Sequence, residues 1–460
     1  MKKVIYTLFS TALLATGCAD LDPTLEQDRA LEGSIKSVED VRSVLNSAYN
    51  YMSTREYYGR DVIIFGEVRS DNAYSDANSN RFVSVAKMDM KRTDAYASDS
   101  WTRINQTIVS TNVVINADRA KITGDVTTLN HYLGEAYAIR ALAHFDLLKL
   151  YGQQYQQSDR TKALGVPYTK VFGKAIYPAR ETVQRTYELI MEDLNAAISN
   201  LSASKDDASA HYITTFAAYA IKARVALFFE DWAIARDAAK YVIDHKGSRL
   251  DIAAPSDFAK TFTTDNTKNQ IFSIANSDGD NTGVNSLGNI YFGSYGDVVM
   301  LNDLYSKYET GDVRKTLFSE IRAGKTYRMR KQTDIIGAQD IPVIRYEEVV
   351  LTYAEALFRL GDTTNALAQL NLIPAKRGAT AYTSATLENI LLERRKEFAG
   401  EGFRFYDIAR NKQDMPLVDD ALQTYGTVTY GSYKYSFPIP DAEMGANGNM
   451  KQNQGYSSNP

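Results

Sequence analysis

Ala226-Leu227-Phe228-Phe229-Glu230-Asp231-Trp232-Ala233-Ile234-Ala235 and Ala356-Leu357-Phe358-Arg359-Leu360-Gly361-Asp362-Thr363-Thr364-Asn365-Ala366 are two versions of one phrase. They lie within residues 212–246 and 346–373. In each, an Ala-rich apolar run ends at an acidic turn, and an alanine follows the aspartate four residues on. Small side chains at those positions let two helices approach closely. A repeated unit of this length marks helical hairpins that stack on one another. The fold expected is mainly α, a tetratricopeptide-like helical-hairpin scaffold.

Outward from these hairpins the helical period persists. Ser37-Val38-Glu39-Asp40 is a capping-box-like start, followed by Val41, Leu45, Ala48 and Met52 at helical spacing. Trp101, Ile104, Ile108, Asn112 and Ile115 form one stripe, and Leu133, Tyr137, Ala141, Leu148 and Tyr151 another, closed by Gly152. Tyr187, Met191, Leu194, Ile198 and Leu201 form a third, after a connector with Pro167 and Pro178. The helical scaffold is therefore expected over about 35–55, 98–250 and 345–410.

The stretches 56–97, 251–344 and 411–460 lose this period and are expected to be loop-rich. Val62-Ile63-Ile64-Phe65-Gly66-Glu67 is a short apolar segment, and Arg69 through Arg81 a polar loop. Asp278 to Gly283 and Gly288 to Gly296 are rich in Gly and Asn. Long loops inside a domain are uncommon and often carry function. The picture is a single domain, 35–460, whose scaffold carries an irregular, ligand-facing region.

The chain starts with Met1-Lys2-Lys3 and a mostly apolar run from Val4 to Thr16, ending in Leu14-Ala15-Thr16-Gly17-Cys18. A positive start and an apolar run too short to span a bilayer comfortably are the parts of a secretory leader. Small residues before a cysteine resemble a bacterial lipobox, so residues 1–17 are expected to be a signal peptide and Cys18 the acylated first residue of the mature chain. Residues 18–34, polar and containing Pro23 and Gly33, are the expected lipidated tether. Several acyl chains hold a membrane stably where one holds it only reversibly.

Composition narrows the function. The formal net charge is −4, two units lower when Lys2 and Lys3 leave with the leader, and no long basic run exists, which argues against nucleic acid. Cys18 is the one cysteine among 460 residues, so the fold must rest on a large core rather than on disulfides. The four histidines form no His-Glu-x-x-His pair, and neither a Gly-x-Ser-x-Gly elbow nor a phosphate loop is present. Asp278, Asp280, Thr282 and Gly283 faintly resemble a calcium loop, but the twelfth position is Asn289, so a turn is expected. No metal, cofactor or enzymatic activity is expected. The 31 Tyr against 2 Trp make tyrosine the available amphipathic ring, for helix seams and for wet recognition surfaces alike.

Residues 393–410 read Glu-Arg-Arg-Lys-Glu-Phe-Ala-Gly-Glu-Gly-Phe-Arg-Phe-Tyr-Asp-Ile-Ala-Arg. Glu393, Glu397 and Glu401 are four apart among basic residues, which suggests charge pairing on a packed helix, and Gly400 and Gly402 let the chain leave it. This run resembles the C-terminal hallmark of SusD/RagB family proteins. Trp101 to Asn112, Gly134 to Gly152, Gly165-Val166-Pro167, Arg180 to Val183, Ile344 to Val349 and Phe437-Pro438-Ile439-Pro440 follow the family in order, with Gln454 departing from the closing Asn-Pro-Gly-Tyr.

The resemblance implies a SusD-like fold and a surface lipoprotein of the outer membrane, facing outward. It implies a lid on a SusC-like TonB-dependent transporter, to which it delivers an oligosaccharide or, in RagB-like members, an oligopeptide. By position in the family, the ligand residues would be Arg69, Asp71, Asn72 and Tyr74, then Tyr291, Phe292 and Tyr295.

Overall fold

The computed structural model describes residues 35–153, 159–173 and 176–456. The leader, Cys18 and the tether lie outside the described residues.

Helix α1, Val38–Ser53, starts as expected. Asp40 N–H donates to Ser37 Oγ at 3.2 Å, and Ser37 N–H to the Asp40 carboxylate at 2.9 Å. Its buried stripe is Val38, Val41, Leu45, Ala48 and Met52. Next come α2, Asp61–Val68; α3, Ala95–Ile115; α4, Val126–Tyr151; and α5, Val183–Asn200. Asp94, Asp125 and Thr182 cap the last three, each accepting a first-turn N–H that would otherwise lack a partner. α6, Thr215–Phe228, and α7, Trp232–His245, form the first quoted hairpin; α8, Tyr346–Arg359, and α9, Thr363–Leu370, form the second. α10, Leu387–Glu397, and α11, Arg404–Arg410, carry the hallmark.

These helices pack in series: α1 on α3, α3 on α4, α4 on α5, α5 on α6, α6 on α7, α7 on α8, and α8 on α9 and α10. The two hairpins are thus neighbours in space although about a hundred residues separate them. Ala226, Leu227, Ala235 and Ala356 meet in one buried cluster, and Leu357, Ala366 and Ala385 in another. The turns are alike in bonding: Asp231 N–H donates to Ala226 C=O and Asp362 N–H to Leu357 C=O, both at 2.9 Å. Each aspartate follows a residue in the left-handed region, Glu230 at φ 63° and Gly361 at φ 89°. By bonding, Ala226 therefore corresponds to Leu357, one residue off the Ala-Leu-Phe alignment of the sequence.

The non-helical stretches hold short strands. β1, Ala73–Ser75; β3, Val298–Leu301; β5, Thr326–Met329; and β4, Phe318–Arg322, make an antiparallel sheet in the order β1-β3-β5-β4. β2, Gln270–Ile274, pairs with β6, Ile341–Arg345, and both are wholly buried. The apolar segment within 56–97 is helix α2 rather than part of a loop. All eight of its residues are buried, so it shows no polar face and no helical stripe in sequence.

Candidate functional site

The hallmark is an interior joint. Glu397 on α10 is fully buried and accepts from Arg345 at 3.0 Å, from Arg377 at 2.9 and 3.0 Å, and from Arg314 at 3.2 Å. Burial pushes its carboxyl up, but Arg377, Arg345 and Arg314 overcome this and hold it well below the ordinary range. Glu393 pairs with Arg314 at 2.6 Å, and Glu401 with Arg345 and Lys331. The charge pairing expected on this helix is present, but its main partners come from elsewhere in the chain. Of the interleaved bases, Lys396 pairs with Glu393 on the same helix at 3.0 Å, while Arg394 turns to Asp407 and Arg395 to Asp71 and Asp303. The neighbouring cations hold the Glu397 and Glu401 carboxyl groups below the ordinary range against the upward push of burial.

Four of the seven expected ligand residues belong to this joint. Arg69 is buried, with its guanidinium 3.8 Å from the Phe405 ring centre and 4.6 Å from that of Phe437, and its Nε donates to Phe65 C=O at 3.0 Å. Asp71 accepts from Arg404 at 2.6 and 2.8 Å. Asn72 accepts from Arg395 at 2.8 Å and donates to Glu67 at 3.1 Å. Tyr291 is fully buried in the main core, its hydroxyl without a hydrogen-bond partner. These four are buried rather than facing solvent. A polar stretch after an apolar one reads as an exposed loop, yet α10 and α11, some 330 residues later, return to cover it.

The other three lie where the two expected segments join. β1 pairs with β3 in the register Tyr74↔Val299, which brings residues 76–81 against 294–297. Asp76 N–H donates to Asp297 C=O at 2.9 Å. Asn78 Nδ2 donates to Ser294 C=O at 3.1 Å and to Tyr295 C=O at 2.6 Å. The buried Asp297 carboxylate accepts from Ser79 N–H at 2.6 Å and from the Ser79 hydroxyl. The Arg81 guanidinium lies 4.0 Å from the Tyr295 ring centre. Ala77, Asn80 and Phe82 all sit near φ 60°. Each costs about 1–2 kcal/mol for a residue with a Cβ, so the surrounding contacts must impose this loop shape.

Beside Tyr295 the surface is apolar. Phe292 is 36% exposed, Val284 61%, Ile335 51% and Ile336 48%. Ser286 Oγ donates to Ile335 C=O at 2.8 Å, which fixes residues 334–337 against the short helix Leu287–Tyr291. Gly288 is required there, since a Cβ would lie 2.1 Å from Asp334 C=O. The result is an apolar shelf of Phe292, Ile335 and Ile336 next to a polar rim of Asp76, Asn78, Asn80 and Arg81. Apolar surface beside polar side chains suits a ring-bearing, hydroxylated ligand. Tyr74 is nearly buried, packed with Val299, Leu301 and Leu422. The sequence reading passed over Arg81, although it closes the quoted loop. It also passed over Ile335-Ile336, an apolar pair set between Asp334 and Gly337 that could have signalled an exposed contact.

Among the described residues no group of three or more His, Cys, Asp or Glu is placed to hold a metal. The stretch from Ser277 to Gly283 is a turn closed by Asn281 Nδ2 donating to Ser277 and Asp278 C=O. No described helix is long and apolar enough to cross a membrane.

Two family models match the chain without overlap: the SusD family over residues 322–456, and a SusD-like family described as starch-binding and associating with the outer membrane over residues 21–227. Together they span most of it. The chain belongs to the SusD/RagB family. SusD-like protein P2 of Formosa agariphila is 25% identical across 99% of this chain and 100% of its own length. A SusD-like protein of Bacteroides ovatus is 24% identical across 96% and 88%. Starch-binding protein SusD of Bacteroides thetaiotaomicron is 34% identical over a shorter part, 25% of this chain and 22% of that one. Among solved structures, a putative sugar-binding protein from Bacteroides vulgatus has a TM-score of 0.83 at 28% identity, covering 92% of this chain and 99% of that one. A SusD superfamily protein from Bacteroides thetaiotaomicron has a TM-score of 0.82 at 26% identity, covering 91% and 99%. The mainly α SusD-like fold is that of this chain.

Proposed function

We propose that this SusD-like protein captures an oligosaccharide at the outer-membrane surface and delivers it to a SusC-like TonB-dependent transporter, on which it acts as a lid. It is held there by acylated Cys18, and it makes and breaks no bond. The observation that carries the reading is the joining of residues 76–81 to 294–297, next to Phe292 and the 334–337 turn that packs on Gly288 and Gly293. It sets Tyr295, Phe292 and an apolar shelf beside Arg81, Asn78 and Asn80. The sugar-binding names of its relatives point to the same ligand class. Tyr74 lies in the strand that positions this face, and Arg69, Asp71, Asn72 and Tyr291 hold it from within.

Isothermal titration against oligosaccharide and oligopeptide panels tests the ligand. Saturable binding of an oligosaccharide without product release is expected, and binding of peptides alone would replace the ligand class. The double variant Arg81→Ala, Tyr295→Ala is expected to lower affinity by about a hundredfold, from losing one stacked ring and one charged donor. Unchanged affinity would remove this face from the site. Co-purification with the transporter from outer membranes tests the partnership.

A further inference from the structure

A hollow of about 400 Å³ opens where the first turn of α6 meets the last turn of α7, built from elements other than those of the face above. Its walls include Asp206, Asp207, Phe216, Tyr241, His245 and Arg249. Ligand pockets start near 300 Å³, and a cavity of about 150 Å³ takes one benzene ring, so this space holds one or two sugar rings.

Arg249 is the telling residue. It is partly buried, and its side chain's one hydrogen bond among the described residues runs from Nη1 to Gln270 C=O at 3.4 Å. It pairs with no carboxylate among them. Arg180 also has none, but it donates to five acceptors, the C=O groups of Gly165, Lys451, Tyr151 and Leu164 and the Asn453 side chain. Other interior arginines meet carboxylates at close range, Arg140 on Asp193 and Arg224 on Glu348 for instance. Arg249 therefore keeps most of its donors unused in the wall of a hollow. Burial lowers its pKa, as expected of a cation short of counter-charge, while Asp206 and Asp207 act on it only at a distance.

The remaining walls suit a hydroxylated ring. Asp206 spends one oxygen on Thr215, accepting N–H at 2.8 Å and the hydroxyl at 3.1 Å, and its other oxygen takes no donor among the described residues. Asp207 likewise takes Ser209 N–H on one oxygen, at 2.6 Å. Tyr219, Tyr241 and His245 form a continuous stack, with centroid spacings of 3.7 and 4.2 Å, that ends at exposed His245. Phe216 adds a further partly exposed ring.

We propose that this hollow is a second binding site, for a uronic-acid residue of an acidic glycan. The carboxylate pairs with the Arg249 fork, sugar hydroxyls donate to the open oxygens of Asp206 and Asp207, and the ring lies against Phe216 and His245. The inference does not depend on the capture face.

The full-length chain is titrated calorimetrically with digalacturonate, neutral galactobiose and the dipeptide Glu-Glu. Digalacturonate is expected to bind saturably and more tightly than galactobiose. Arg249→Gln should weaken it about tenfold or more, the loss of one charge-assisted pair, with Arg249→Lys in between. His245→Ala, at the exposed end of the stack, gives an independent loss if Arg249→Gln does not fold. Arg81→Ala should weaken the oligosaccharide of the capture face and spare digalacturonate. Equal binding of galactobiose, binding of Glu-Glu in place of digalacturonate, no binding of digalacturonate, or its unchanged affinity in Arg249→Gln would each overturn the site. Loss in Arg81→Ala but not in Arg249→Gln would move the uronate to the capture face, overturning this site and leaving the capture reading intact.

Discussion

At the scale of single residues, chemical type and position in the chain say little about which side of the surface a group faces. Tyr291 and Tyr295 lie four apart and look alike in sequence, yet one is fully buried and the other half-buried at the edge of the core, under Arg81. Tyr291→Ala is expected to cost about 3–5 kcal/mol in urea denaturation, as for a large core ring, while Tyr295→Ala stays within about 1 kcal/mol and acts on ligand affinity instead. His144 is a similar lesson. Its Nδ1–H donates to Arg140 C=O at 2.9 Å and its Nε2 accepts Thr169 N–H at 3.1 Å. Burial lowers its pKa from 6.5 to about 3. The unfolded chain then binds a proton that the folded chain refuses, so stability present above pH 6.5 is lost as pH falls toward 3. The slope is about 1.4 kcal/mol per pH unit at most. His144→Gln, which keeps one donor and one acceptor but does not titrate, should flatten that part of a melting-temperature profile.

At the scale of elements, α1, with one buried face, was readable and α2, buried all round, was not. α1 showed its cap and its stripe, and the structure has both. α2 showed neither, because every side chain is inside and nothing polar marks a period. Its packing is close to the limit. A Cβ on Gly66 would lie 2.0 Å from Gly402 C=O, and Gly402 itself has φ 82°. Backbone cannot yield as a flexible side chain can. Gly66→Ala is expected to destabilise by about 1–3 kcal/mol or more, measured by thermal melting, and to disturb the joint through Glu67, which accepts Gly402 N–H at 2.8 Å.

At the scale of the molecule, buried charge ties the helical scaffold to its irregular insertions. Arg314 comes from the irregular stretch, Arg345 from the end of β6 and Arg377 from beyond α9, and all three converge on Glu397. Glu397, Glu401, Asp407 and Asp71 all have carboxyl groups lowered by neighbouring arginines against the upward push of burial. Groups of this sign contribute stability above the unfolded carboxylate range near pH 4 and lose it as pH falls through the folded values. Circular dichroism should therefore show a steep fall in melting temperature below about pH 4, beyond the gentler loss from His144. Removing one partner tests the cluster: Glu397→Gln leaves three buried guanidinium groups short of charge and is expected to cost about 3–5 kcal/mol. The anchor proposed at Cys18 has its own test. Cys18→Ala is expected to release a folded chain into the soluble fraction with its ligand affinity intact, and a released chain unable to bind would show that anchor and site are coupled.

The helical hairpins, the first cap, the mainly α class and the family were legible in the sequence, because these rest on local period, on short-range bonding and on ordered motifs. Tertiary structure alone decided which polar residues are inside, that 76–81 meets 294–297, and that the hallmark glutamates answer to Arg314, Arg345 and Arg377. The reason is physical. Helix period and capping act over three or four residues, whereas burial and ion pairing depend on which distant segment returns, and that is settled only when the whole core closes.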